Sequence, residues 1–461
     1  MKESPAKRDD MKVQQIKRSP MKRRRTLDSS PLPSSVFDQV PTDVLRSIIK
    51  KLSFIDVVQA KAVCSSWNLV GEELVSRMPW LMLPSKEEVE EGDDADARNN
   101  GYNGFLNLGE NRVYNLKTTP KEFRESCCIG SSHGWLVFLE QKAIPFLFNP
   151  FRQVKIQLPP VDRLLGLKRM ERKMNGEYEL DYFEDYKKSC RFWFKWCGKQ
   201  EVRARFIQKA ILTGKPDSNN GNYGLVLLCN SGEEIAYYES AGDNSWTVID
   251  VSHAPYQDII CHENNLFALG DKNSVEVWDL QQGRAGITKK SDIVLPIPDK
   301  LLAKEDSVKG LCSSRFYLVE SCGDLLLVVR FIGDYVDRVY GTLQREWDCY
   351  NDYCTISFHV YKLDCNGRKW VEVESLGDHA LFLGGNQSVS VSTDSFSNCE
   401  KNSIYFTDDN WERMEDDLLY GGHDMGIYNL KDQSFKSIYE FSSAGIQPPP
   451  CWILPPALLE P

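Results

Sequence analysis

The sequence contains no H-E-x-x-H, no C-x-x-C pair and only six histidines, at positions 133, 253, 262, 359, 379 and 423 of 461 residues. These absences exclude the helix-borne zinc site of metalloproteases and the paired thiolates of zinc ribbons. Cys349, Cys354 and Cys365 lack zinc-ligand spacing. There is no glycine-rich phosphate loop, because Leu383-Gly384-Gly385-Asn386 follows an apolar run but opens no helical pattern. DDADA at 93–97 has the composition of a cation loop but not its glycine or distal glutamate. Ser131, Ser132 and His133 offer a nucleophile and a base, but they are adjacent at a strand turn. Their side chains are expected to diverge, leaving a turn role. No catalytic residue, metal or cofactor is therefore expected. Apolar runs such as LLLVV at 325–329 fall far short of the ~18 residues of a membrane span, so no membrane partner is expected. The first residues are charged and lack an apolar secretory segment. The 14 cysteines are accordingly expected to be reduced thiols in the nucleus and/or cytoplasm.

Charge is unevenly distributed. Residues 1–25 hold ten Lys or Arg against three acids, although the whole chain carries −10. Residues 1–33, polar and Pro/Ser-containing, are expected to be a disordered basic tail. Lys17, Arg18, Lys22, Arg23, Arg24 and Arg25 form a cluster of the nuclear-import type. No aromatic residue interleaves it, so no nucleic-acid partner is expected. From 36 to 80 the apolar spacing turns helical. Val44, Leu45, Ile48, Ile49 and Leu52 share one stripe after Pro41, with Thr42 or Asp43 as the expected cap. Asp56 is placed at the start of a second short helix, and a third is expected from about Ser65 to Arg77. Three helices in so few residues make a marginal core with apolar surface left to share. Residues 81–100, rich in acid, Gly and Asn, are expected to be a linker.

From 101 to 456 the texture is β: short Val, Ile, Leu, Phe and Tyr runs separated by Gly, Asn, Asp and Ser turns. Segments ending WDL (278–280), YKL (361–363) and YNL (428–430) suggest a loose repeat of about 45 to 70 residues with four strands each. The fold class expected is mainly β: a small three-helix N-terminal unit followed by a six- or seven-bladed β-propeller. The segment 105–116 is expected to supply a strand that closes the last blade, while 161–210 shows no clear period.

Val40 to Trp67 reads V-P-x-D-V-L-x-x-I-I-x-K-L-S-x-x-D-V-V-x-A-K-A-V-C-x-x-W and closely resembles the F-box family, with Val40 where that family usually has Leu. The resemblance implies docking to a Skp1-like adaptor and, through it, to cullin and RING subunits. Pro41, Asp43, Leu45, Ile48, Leu52, Val63, Cys64 and Trp67 match the motif. Pro41, Leu45, Ile48 and Leu52 are expected to touch the adaptor directly; Val63, Cys64 and Trp67 either touch it or hold the helices together. IGSSHGWLVFL (129–139), FLFNPFRQVKIQLPP (146–160), NSWTVID (244–250), ESLGDHALFLGGNQSVSVS (374–392), NSIYFTDD (402–409) and PPPCWILPP (448–456) resemble plant F-box proteins with a KIB-type β-propeller, the domain of unknown function 295 family. This implies a non-catalytic receptor that holds a protein substrate on the propeller for ubiquitination. The alternative is an F-box scaffold or sequestering protein that acts without ubiquitin transfer.

Overall fold

The computed structural model describes residues 40–74, 78–84, 102–115, 126–140, 144–161, 164, 167–172, 178–182, 207–216, 222–230, 232–242, 244–251, 255–270, 274–280, 287–293, 312–333, 353–364, 366, 368–396, 398–410, 422–439 and 449–455. The basic tail and the acidic residues 85–100 lie outside them.

Three helices come first: α1 (Thr42–Ile49), α2 (Phe54–Ala60) and α3 (Ser65–Leu74). Pro41, extended at ψ 139°, occupies the cap position of α1, and no side chain caps it. Thr42 and Asp43, expected as caps, are already helical, and Asp43 places its charge in the positive first turn. The second helix starts two residues before Asp56, because Ser53 caps it. The Ser53 hydroxyl accepts from the Asp56 N–H at 3.4 Å and donates to the Asp56 carboxylate at 2.6 Å. Leu45, Ile49, Val57 and Val70 form the bundle core, with Val40, Leu52, Phe54 and Trp67 packed on it.

The remainder is a ring of six sheets among the described residues. In chain order the first blade comprises Cys127–Ser132, Trp135–Leu139, Pro145–Asn149 and Val154–Gln157. The second comprises Ile207–Leu212, Gly224–Cys229, Glu234–Glu239 and Thr247–Val251. The third comprises Asp258–His262, Asn265–Leu269, Val275–Asp279 and Thr288–Ile293. The fourth holds Cys312–Ser321, Asp324–Gly333, Cys354–Asp364 and Lys369–Glu372. A hairpin, Leu167–Arg172 with Tyr178–Tyr182, is inserted between the first two, in the region without sequence periodicity. The fifth blade departs from the up-and-down pattern. Its innermost strand is Gln387–Ser392, followed by His379–Gly384, which pairs parallel with Ser403–Phe406, then Gly426–Asn429 and Phe435–Lys436.

The closing blade is assembled from both ends of the ring domain: Cys451–Ile453 pairs with Trp80–Pro84, which pairs with Tyr102–Asn107 and then Arg112–Asn115. The segment 105–116 therefore does contribute to closure. Residues 81–84, assigned above to the linker, are a buried strand, because Trp80, Leu81 and Met82 find partners in Ile453, Trp452 and Cys451. Pairing of the two ends closes the ring.

Neighbouring inner strands are clamped to one another. Asp258 takes an ion pair from Lys209 of the second blade at 2.6 Å and the Leu318 N–H of the fourth at 2.7 Å, so one carboxylate ties three blades. Burial pushes its pKa up, and Lys209 opposes that shift. Between the first two blades Gly130 is obligatory, since a Cβ there would stand 2.1 Å from the Ala210 carbonyl oxygen.

Candidate protein-interaction site

The helical stripe divides into two faces. At 100° per residue, positions 44, 45, 48 and 49 span an arc of about 140°, wider than two short helices can cover. Leu45 and Ile49 turn inward, at 1% and 2% exposure, whereas Val44 and Ile48 stay 49% and 39% exposed. Val63 at 44% and Leu69 at 68% add to the uncovered apolar surface of the bundle. Of the motif residues, Pro41, Asp43 and Val63 are exposed, and Leu52, Cys64 and Trp67 are half-buried. Asp43 pairs with Arg46 at 3.7 Å on the surface. Leu45, expected to meet the adaptor, is buried in the bundle core of the free chain. Val44, read as part of the stripe but not as a contact residue, and Leu69, not singled out from the sequence, are exposed instead. The import cluster from Lys17 to Arg25 lies outside the described residues.

The bundle does not hang free. Phe54, at the first turn of α2, belongs to its core and also packs on the propeller. Its ring meets Trp80 edge-on at 4.6 Å, Phe151 at 6.0 Å and Tyr114 at 6.3 Å. Trp80 stacks on Tyr114 at 5.2 Å. The Phe54 N–H donates to Glu110 at 2.8 Å, and the Tyr114 hydroxyl donates to the other oxygen of the same carboxylate. Burial and that carboxylate push Tyr114 up to about 12, keeping it a donor. Edge-on aromatic pairs of this kind are each worth about 0.5–1.5 kcal/mol beyond their buried area.

The fourth and fifth blades are joined by a buried polar network. Arg330, fully buried, pairs with Asp409 at 3.1 Å and Asp424 at 2.9 Å, and donates to the Thr407 carbonyl, the Thr355 hydroxyl and the Tyr317 hydroxyl. Tyr353 donates to Asp408 at 2.6 Å. Burial first, and the Asp424 charge second, raise Asp408 to about 6 against the pull of Arg330. Every described member is held by strand or loop backbone, so the network serves as framework. The Ser132 hydroxyl and His133 Nδ1 do meet, at 2.8 Å, contrary to the expected divergence. The left-handed backbone of His133 (φ 53°) folds the ring back over the turn, and the pair is exposed. Among the described residues no group of three His, Cys, Asp or Glu is placed to hold a metal ion.

Comparison with known proteins agrees with this division. The F-box domain family matches residues 37–70, and the KIB1-4 β-propeller family matches 105–429. The F-box protein SKIP23 of Arabidopsis thaliana is 26% identical over 440 residues, covering 90% of this chain and 94% of that protein. The putative F-box protein At4g22660, from the same plant, is 23% identical and covers 91% of this chain and 97% of that one. The F-box protein KIB3, also from Arabidopsis thaliana, is 24% identical over 389 residues, covering 80% and 71%. A crystal structure of a Lactobacillus plantarum protein aligns over 81% of this chain and 98% of that one, with a TM-score of 0.32 and 10% identity. With an F-box locked by Phe54 to a six-bladed ring that the family model spans through 429, the chain belongs to the KIB1-4 β-propeller family of F-box proteins.

Proposed function

We propose that this protein is the substrate receptor of a Skp1-cullin-F-box ubiquitin ligase. The carrying observation is the uncovered apolar surface of the helical bundle, centred on Val44 and Ile48, on a unit whose core, among the described residues, is built on Leu45, Ile49, Val57 and Val70. A Skp1-like adaptor covers that surface in a helix-packing interface with a polar rim. Cullin and RING subunits join through the adaptor. The propeller holds a protein target, and the chain itself catalyses nothing. It raises the effective concentration of the target's lysines at the charged ubiquitin enzyme. The basic cluster from Lys17 to Arg25 directs the assembly to the nucleus as well as the cytoplasm.

The test is affinity purification of the intact chain beside a Val44→Asp, Ile48→Asp variant. The proposal expects adaptor and cullin with the parent, both lost from the variant, and target proteins retained by both. Adaptor recovered without cullin would support a sequestering scaffold instead. Removing residues 1–33 is expected to shift a fluorescent fusion toward the cytoplasm; unchanged nuclear signal would overturn the import role.

A further inference from the structure

A thiol and an imidazole from different blades meet at the surface. Cys322 occupies the turn between Cys312–Ser321 and Asp324–Gly333 of the fourth blade, and His379 opens the fifth. Cys322 Sγ lies 3.2 Å from His379 Nε2. The turn is fixed on both sides. Cys322 is left-handed (φ 54°) and exposed. The Gly323 N–H donates to Glu320 at 2.7 Å, and Ser321 and Ser390 share a hydroxyl contact at 2.7 Å across the blade boundary. Cys322 is the exposed cysteine among the described residues; the others there are buried or half-buried. Burial pushes Cys261 up to about 12 and Cys399 up to about 11, so those remain protonated near neutrality.

We propose that Cys322 and His379 form a reactive site for small soft electrophiles, specifically conjugated carbonyl compounds. Nucleophilic attack requires the thiolate, and an imidazole in hydrogen-bond reach supplies it by taking the thiol proton. Sγ then bonds to the β-carbon of the electrophile. The π pair of the carbon–carbon double bond moves to the α-carbon through the enolate. The proton held at Nε2 is delivered there, which restores the neutral imidazole. No leaving group departs, and no oxidant or reductant enters. The adduct stands at the boundary of the fourth and fifth blades, so covalent marking there alters the surface those blades present.

The experiment treats the full chain with substoichiometric N-ethylmaleimide at neutral pH and reads each cysteine by peptide mass spectrometry. Cys322 is expected to label ahead of every other cysteine of the described residues. His379→Ala is expected to slow Cys322 labelling about tenfold, with part of the rate restored by added imidazole, which leaves the parent unaffected. A thermal melt verifies that the variant is folded. If it is not, His379→Gln takes its place and must show the same slowing. Another cysteine of the described residues labelling first, a rate in either folded variant within about twofold of the parent, or no response of His379→Ala to imidazole would each overturn the proposal.

Discussion

Ile48 and Leu45 are three residues apart on one helix, and their replacement has opposite consequences. Fully burying an isoleucine stabilises by roughly 1.5–3 kcal/mol. Ile48 is 39% exposed in the free chain, so covering the rest of it contributes about 1 kcal/mol, some fivefold in Kd. Ile48→Ala is therefore expected to lower the melting point less than Leu45→Ala does, and to weaken adaptor binding about fivefold. Ile48→Asp buries an unpaired carboxylate under the adaptor at a cost of about 3 kcal/mol or more, at least about a hundredfold. Leu45 is 1% exposed in the small bundle core with Ile49, Val57 and Val70, and Leu45→Ala costs about 2–5 kcal/mol, enough to melt the bundle. It is expected to lose helical signal and all adaptor binding together. Isothermal titration of the full chain with a purified Skp1-like adaptor, beside circular dichroism, separates the two. Parent affinity in Ile48→Asp would refute the placement of the interface. A folded, binding-competent Leu45→Ala would refute the account of the core.

Arg330→Ala strands Asp409 and Asp424 in the interior and is expected to cost about 3–5 kcal/mol in a denaturant titration; no shift in midpoint would contradict the framework role. Because the native pKa of Asp408 is raised from 3.8 to about 6, the native state holds that proton more tightly than the unfolded chain does. Its contribution is full below about pH 4 and fades as pH rises through about 6. Melts between about pH 4 and 7 are expected to show this decline up to about pH 6 in the parent, and a flatter profile in Asp408→Asn. Trp452 is fully buried, so Trp452→Ala is expected to cost about 3–5 kcal/mol and to speed proteolysis at the closing blade. Phe54→Ala is expected to keep the helices folded but loosen them from the ring, seen as faster hydrogen exchange at Trp80 and Tyr114.

The helices and most strands were legible because their apolar periods are local. Helix starts were less so. Ser53 and Asp56 form a reciprocal cap that moves the start of α2 two residues earlier, and Pro41 takes the cap of α1 with no side-chain help. The five-position stripe was not divided into an inner and an outer face, because spacing alone does not say how much of a wide arc a small bundle covers. The strand at 81–84 read as linker since its partners lie at 451–453. Nothing local marks Arg330 as the centre of a network, since its carboxylates are 79 and 94 residues away. Blade number stayed open between six and seven because the fifth blade contains a parallel pair and the closing blade is split between distant segments.

Trp80 carries a consequence for the order in which the molecule is made. On one side it receives Phe54 of the helical bundle; on the other it is zipped to Ile453. The helices leave the ribosome early, but the seat they rest on is finished only when the segment around residue 452 emerges and pairs. A chain released before that point carries its helices with no firm mount and a ring with an open edge. Translation to the far end of the propeller is thus built in as a checkpoint on presenting the helices at a fixed angle.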